Sequence, residues 1–359
     1  MGHDVTVIAS TLSFDENGRP CYLDKTSEYF DRNGYKVVRL KYKLPQRIFK
    51  ILKGYQGLYN RLEVEHPDII FIHGVAIYDA SVIVKYLKSH PHVKLYGDNH
   101  GDYINSAKTW ISKNILHRII RRHYVSHLEP YLIKCFGVTP LRCQFLKDVY
   151  GVDSQKVEFL PMGVDNEAIP QDRGVIRNQI RQELNIPKDS FVIITGGKID
   201  KKKNIHILIE SLEAINKQSV HLIICGVLTP EMQYLKTQFN ENIHYLGWCS
   251  AEKVINCMIS SDMACFPGTH STLWEQAVGI GLPVIFKYWE GMTHMNVCDN
   301  CVFVEGENVS EITTQILHIC QHDNYHVMKS NALKASESFL YSNIAKMAIG
   351  FLKTPKYDD

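Results

Sequence analysis

Three stretches of this sequence gather polar groups of the kinds that hold a charged ligand. The first, Gly196-Gly197-Lys198-Ile199-Asp200-Lys201-Lys202-Lys203-Asn204, separates an apolar strand over 191–195 from a helix over 205–215. Two glycines let the backbone approach a ligand closely, and lysines just before a helix act as point charges on phosphate. The glycine-lysine spacing of a P-loop is absent, and a lysine run is equally a solvated turn. The second stretch, 266–286, reads FPGTHSTLWEQAVGIGLPVIF. It implies a strand ending at Pro267-Gly268, a loop Thr269-His270-Ser271, a helix from Thr272 to a Gly281-Leu282-Pro283 stop, and a strand over 284–286. Free N–H groups at a helix start that follows a strand favour an anion, and a phosphate-bearing ligand is the natural guest. Thr272-Leu273-Trp274-Glu275 also fits a capping box, in which Glu275 only returns a hydrogen bond to the N-cap. The third stretch, Gly97-Asp98-Asn99-His100-Gly101-Asp102, is a polar loop after a strand over 93–96, the expected place for a ligand in an α/β sheet.

The rest of the chain must position these loops. At 359 residues it is long enough for two domains, and 45% apolar with 22% charged residues is the balance of a soluble globular enzyme. Residues 1–165 hold 23 Lys+Arg against 17 Asp+Glu, a charge of +6, and the remainder is at −4. Ten cysteines are scattered without an even framework, which points to a reducing cytosol, and Cys298-Asp-Asn-Cys301 stands alone without a second pair at zinc spacing. Neither a signal peptide nor an apolar run of membrane-spanning length is present, so a cytoplasmic location is expected and any membrane contact is peripheral.

Strands are expected over 3–10, 35–40, 69–73, 93–96, 135–139 and 157–160, with helices over 24–33 and 80–89. Two amphipathic basic helices are expected. One, over 41–61, carries Lys41, Lys43, Arg47, Lys50 and Lys53, and the other, over 110–124, carries Lys113, Arg118, Arg121 and Arg122 beside Ile111, Ile115, Leu116, Ile119 and Ile120. The second is either a core helix with a solvated charged face or a surface that docks on an anionic membrane. Residues 166–173 read as an interdomain link, followed by strands over 191–195, 220–225, 243–246, 262–266, 284–286 and 301–304. Alternation of strand and helix on both sides of the link predicts two parallel-sheet α/β domains with a cleft between them.

In order, Gly163-Val164-Asp165 after a Pro, Gly197-Lys198-Ile199 with Lys203 five residues past Lys198, Gly247, and Glu275-Gln-Ala with Gly281-Leu-Pro-Val-Ile resemble the retaining glycosyltransferases of family 4. The resemblance covers nearly the whole chain and is most specific in its C-terminal half. It implies the GT-B fold: a Rossmann-like acceptor domain over 1–165, a Rossmann-like nucleotide-sugar donor domain over 166–340, and a C-terminal helix over 341–359 crossing back to the first. In that family a basic residue and a Lys five positions later grip the donor diphosphate, here Lys198 and Lys203 beside Gly197. The second Glu of an E-x7-E motif binds the donor ribose, here Glu275. The loop before it, Thr269, His270, Ser271, Thr272 and Leu273, approaches phosphate and sugar. His100 falls near the transferred sugar, and Gly247 with Trp248 marks the nucleobase pocket. Pro267 stands where the family has its first Glu, so His270, Ser271 or Glu290 is expected to take over the sugar contact. The family opens with a strand, a glycine-rich loop and a helix that this sequence lacks before Gly2-His3-Asp4-Val5-Thr6-Val7.

The resemblance further implies sugar transfer from a UDP- or GDP-sugar, with retention, to a hydroxyl of a lipid-linked bacterial surface glycan at the inner face of the plasma membrane. No metal or other cofactor is implied, and the sequence offers no Asp-x-Asp pair. A sugar-nucleotide epimerase or hydrolase of the same fold, and a non-catalytic binding subunit, are the alternatives. Nucleic acid is not an expected partner, because the basic helices lack a reading module.

Overall fold

A computed structural model describes residues 2–15, 20–31, 33–44, 53–217 and 219–350. The chain divides into two compact units, Met1–Phe159 and Leu160–Asp359. The division falls a few residues before the expected one because residues around Val164 pair with the later chain. Val164 N–H donates to the Phe339 carbonyl at 2.9 Å, and the Val164 carbonyl accepts from Tyr341 N–H at 3.0 Å. The expected terminal helix is seen at Tyr341–Ala348, and residues 351–359 lie outside the described residues.

In the first unit β1 (Thr6–Ser10), β2 (Leu12–Phe14), β3 (Pro20–Tyr22), β4 (Ser27–Phe30) and β5 (Lys36–Leu40) precede β6 (Ile69–Ile72), β7 (Lys94–Asn99), β8 (Leu132–Gly137) and β9 (Val157–Phe159). The last four form a wholly parallel sheet in sequence order, while β5 lies between β1, parallel, and β4, antiparallel. The helix expected over 24–33 is therefore corrected to a strand and a turn. Asn33-Gly34 is a hairpin signal rather than a helix stop. Asp31 Oδ1 accepts from Asn33 N–H at 3.0 Å and Tyr35 N–H at 2.8 Å, and Gly34 sits at φ +82°. Lys36, with Glu28 at 3.1 Å and Glu65 at 3.0 Å, then links β4, β5 and the helix Leu58–Glu65. Of the basic helix expected over 41–61, residues 45–52, with Arg47, Ile48, Phe49, Lys50, Ile51 and Leu52, lie outside the described residues, and the rest is corrected: Tyr42 and Tyr55 pair as an antiparallel bridge, with Lys43 N–H donating to the Gly54 carbonyl at 3.0 Å, and helix begins only at Leu58.

The second unit holds β10 (Phe191–Gly196), β11 (Val220–Cys225), β12 (Ile243–Gly247), β13 (Met263–Phe266), β14 (Val284–Lys287) and β15 (Cys301–Val304) in one parallel sheet ordered β12-β11-β10-β13-β14-β15. Successive apolar residues go to opposite faces, which is why the strands read as unbroken apolar runs. Val192, Ile194, Ile223 and Phe266 pack on one side with Trp274 and Ala277, and Ile193, Leu222, Ile224 and Cys265 on the other with Leu208 and Ile316. Asp262 anchors the helix Arg173–Glu183 under the sheet. It accepts from Arg177 at 2.5 Å, from Arg181 at 2.8 Å and from Val192 N–H at 2.7 Å. The strand order reverses between β10 and β13, so the crevice for a ligand opens at the carboxyl ends of those two strands.

Candidate functional site

Both ligand-like loops of the second unit leave the sheet at that reversal. After β10 the chain turns through Gly197 at φ +111° to Asp200, whose carboxylate caps the short turn Lys201–Lys203 by accepting from Lys202 N–H at 3.1 Å. After β13 the loop crosses over this turn, with Thr269 N–H donating to the Lys202 carbonyl at 3.0 Å. The crossing requires Gly268, because a Cβ there would fall onto the backbone of Lys202 and Lys203. Gly226, at φ +145°, is likewise pressed on the Gly197 carbonyl. The wall of the site is thus main chain at close approach. On its open side Lys203 Cε, Ser271 Oγ and Leu273 Cδ1 lie 3.7, 3.9 and 3.9 Å from where a side chain at Gly197 would begin.

Lys203 is the half-buried cation of this site. Its Nζ donates to the Thr269 carbonyl at 2.5 Å and the His270 carbonyl at 3.3 Å, and among the described residues it makes no ion pair. Burial pushes its ammonium down to about 8, with Asp200 acting weakly the other way. Lys198 is exposed at the rim. The helix Leu273–Ile280 starts beside them, and among the described residues the N–H groups of Thr272 and Leu273 have no acceptor.

The capping-box reading of Glu275 is corrected. Thr272 makes no side-chain cap, and Glu275, fully buried, turns instead to two imidazoles. Its Oε1 accepts from His270 Nε2–H at 2.7 Å and from His294 Nε2–H at 3.4 Å. Among the described residues Oε2 is buried without a hydrogen-bond partner, as is Ser271 Oγ. Burial opposes the charge of Glu275, but His270 and His294 outweigh it and hold the carboxyl well below the usual carboxylate range. Glu290 does not join this cluster: it is exposed, and His294, a few residues on in the same loop, reaches in where Glu290 was expected to.

Gly247 ends β12 at φ +67° and its carbonyl accepts from Gly226 N–H at 2.6 Å, leaving Trp248 exposed at the next position. Sequence reasoning missed two positioning residues. His294 follows β14 in a loop with no periodicity to mark it. Asn204, in a left-handed conformation at φ +53°, donates to the Pro267 carbonyl at 3.1 Å and the Gly306 carbonyl at 2.8 Å, tying the ends of β13 and β15 together. An Asn ending a lysine run before a helix was the available signal, since Asn tolerates that conformation.

In the first unit His100 lies just past the carboxyl end of β7. Its Nε2–H donates to Asp98 Oδ2 at 3.2 Å, as does His73 Nδ1–H at 2.9 Å, while Gly74 N–H donates to Asp98 Oδ1 at 2.6 Å. Burial opposes the charge of Asp98, but the two imidazoles hold its carboxyl below the usual range. Asp102 is structural: it is buried and paired with Arg142 at 3.0 Å.

Residues 112–128 form a helix, π-type over Ser112–Arg121 and α over Arg122–Leu128. The side it buries is set by His117, with Nδ1 and Tyr150 Oη at 2.9 Å, while Trp110, Ile111, Ile115 and Ile119 are 71, 66, 42 and 64% exposed. Of the two readings offered for this helix, Ile111, Ile115 and Ile119 do not fit the core one, because a histidine with satisfied ring nitrogens takes the buried position. Among the described residues no helix is long and apolar enough to cross a membrane.

A doubly wound parallel sheet whose two polar loops leave it at the reversal is the arrangement in which α/β domains hold their ligands. The model described as "Glycosyl transferases group 1" matches residues 176–334, and "Glycosyltransferase Family 4" matches residues 1–168. Together they take in most of the chain, which belongs to the group 1, family 4 glycosyltransferases. Over 82 residues it is 29% identical to a D-inositol 3-phosphate glycosyltransferase of Xylanimonas cellulosilytica, covering 22% of this chain and only 19% of that relative's length. Two solved structures share the fold. Sucrose-phosphate synthase from Thermosynechococcus elongatus is 13% identical with a TM-score of 0.67, over 98% of this chain and 88% of its own. Anabaena Alr3699/HepE, in complex with UDP and glucose, is 16% identical with a TM-score of 0.61, over 88% of this chain and 85% of its own.

Proposed function

We propose that this glycosyltransferase takes its sugar from a nucleoside diphosphate sugar held at the β10–β13 reversal and passes it, with retention, to a hydroxyl of a lipid-linked surface glycan. The observation that carries the donor reading is one cluster of complementary groups: an ammonium without a carboxylate at Lys203, N–H groups without acceptors at Thr272 and Leu273, and a carboxylate oxygen without a donor at Glu275. The first two suit a diphosphate and the third a ribose hydroxyl. Lys203, Lys198 and the N–H groups then stabilise the charge that develops on the β-phosphate as the bond from its oxygen to the anomeric carbon breaks. The acceptor oxygen bonds to that carbon from the same face, and its proton leaves with the phosphate. Trp248, exposed beside Gly247, offers a ring for the nucleobase. UDP is the first candidate, since Alr3699/HepE of the same fold is seen with it.

Calorimetry of the full chain with UDP, GDP and ADP tests this reading, and saturable binding of one of them is expected. Glu275→Gln should weaken the nucleotide by about tenfold, the scale of one hydrogen bond to a charged group, and leave inorganic pyrophosphate unchanged. Equal nucleotide affinity in the variant would remove Glu275 from the ribose.

The lipid-linked acceptor and a peripheral seat on an anionic bilayer are supported by the exposed face Trp110, Ile111, Ile115 and Ile119, flanked by exposed Lys108, Arg118 and Arg122. Co-sedimentation with vesicles containing anionic lipid should fall at least about tenfold in Ile115→Glu/Ile119→Glu, with little change in Tm because both side chains are exposed. Raising salt should weaken the wild type as well. Undiminished co-sedimentation of the variant would take the membrane away from this face.

A further inference from the structure

The first unit contains a pocket of about 320 Å³ at the carboxyl ends of β6 and β7, lined by Lys53, Gly74, His100, Ser106, Arg121 and Tyr150 among others. A larger hollow of about 490 Å³, lined by Leu87, Val93 and Ile133, sits at the opposite edge of the same sheet, where α/β sheets do not keep ligands. The smaller pocket has an excess of positive charge. Among the described residues neither Lys53 nor Arg121 makes an ion pair with a carboxylate. Arg121 donates to Ser106 Oγ at 3.5 Å and to His117 Nε2 at 3.3 Å and also meets the Tyr150 hydroxyl, and among the described residues its Nε–H is buried without a partner. The adjacent carboxylate, Asp98, is already covered by His73, His100 and Gly74 N–H.

The ligand atoms of His73, Asp98 and His100 lie within 4.8 Å of one another, close enough for a cation. The surroundings argue against one. Lys53 stands near enough to His73 to oppose its protonation, and its Nζ is 3.9 Å from where a Gly74 side chain would begin. A divalent ion would share the site with that ammonium, whereas an anion would be drawn by it. Arg121 also lies on the helix that exposes Trp110, Ile115 and Ile119, so one element carries a charged pocket and an apolar surface.

We propose that this pocket receives the phosphate or diphosphate of the acceptor, with Lys53 and Arg121 as its ligands, and that the attached lipid runs along the exposed isoleucine face. The proposal rests on the transferase reading above and specifies its acceptor: an amphiphile with the glycan on a lipid phosphate, handed on by an enzyme that builds on such a phosphate. His100, on the pocket wall, then stands beside the first groups that follow the phosphate.

Titration of the full chain, saturated with UDP, with farnesyl diphosphate as the probe tests it. Wild type is expected to take up one equivalent. Lys53→Gln and Arg121→Gln should each weaken uptake about tenfold or more, the value of one charge-assisted contact. Lys334→Ala, exposed in the second unit, should leave it unchanged, and inorganic pyrophosphate should bind more weakly than the prenyl ester. Uptake indifferent to both pocket substitutions overturns the proposal, as does pyrophosphate binding as tightly as the ester, which would mark a site for a free anion. Stoichiometric Zn²⁺ uptake lost in Asp98→Asn overturns it in favour of a metal. If UDP itself fails to bind, the donor reading falls, while the farnesyl diphosphate titration still reports on this pocket.

Discussion

Lys203→Ala is expected to lower sugar transfer by about a hundredfold or more, the range for losing one preorganised donor to developing charge, and to weaken UDP in parallel. The ammonium is half-buried, faces carbonyls rather than a carboxylate, and stands against Gly197 and the start of the helix Leu273–Ile280. Of the two lysines at this site it is the deeper, since Lys198 is exposed. Because Lys203 also ties the Thr269 and His270 carbonyls, Lys203→Arg is the control that keeps a charge there.

The pH dependence separates charge from shape. Burial has brought the ammonium down to about 8, so in the free protein the cation is present at pH 7 and lost as pH rises through about 8. The UDP association constant should then fall with a slope approaching −1 between pH 8 and 10, and this break should vanish in Lys203→Met. Stability of the unliganded protein moves in the opposite sense. Between about 8 and the ordinary lysine value of 10.5 the folded chain has released a proton that the unfolded chain still holds, so stability relative to Lys203→Met should rise with pH across that window. A flat affinity profile would show that Lys203 does not meet the diphosphate as an ammonium.

The largest expected loss of stability is at Asp262. Its two oxygens receive Arg177, Arg181 and Val192 N–H at the junction of β10, β13 and the helix Arg173–Glu183. Arg181 is only 4% exposed, and burial already depresses its pKa. Asp262→Ala would leave that guanidinium among the carbonyls of Ser260, Lys188 and Ser190 without its counter-charge. Removing one partner of a buried pair costs about 3–5 kcal/mol, so denaturant unfolding should show a much lower midpoint. A loss under 1 kcal/mol would mean that water reaches Arg181 on relaxation.

The fold of the second unit was legible because buried parallel strands announce themselves as short apolar runs ended by glycine, and each of the six expected there is found. The loops of the candidate site were placed for the same reason: Gly197, Lys203 and Thr269 to Glu275 follow such runs directly. The strand Ser27–Phe30 was not, since Asn33-Gly34 can end a helix or turn a hairpin and only the pairing with Lys36–Leu40 decides. The period of Trp110 to Tyr124 revealed an apolar face but not that it would look outward, because the buried side is chosen by Tyr150 and Ser106, distant in sequence, which satisfy His117. His294 was invisible for want of any local pattern, and the partner that gives it meaning, Glu275, lies across the sheet's edge in the preceding helix.

Gly226 and Gly268 sit against facing carbonyls and backbone with no room for a methyl group. A wall of that kind is closed to drift: every single-codon change at either position adds atoms that the neighbouring chain must yield to. The side chains of Trp248 and Thr272 are exposed beside it and free to vary. A lineage descended from this sequence therefore diversifies in what it selects before it alters how it grips the phosphates, and the grip outlasts the specificity.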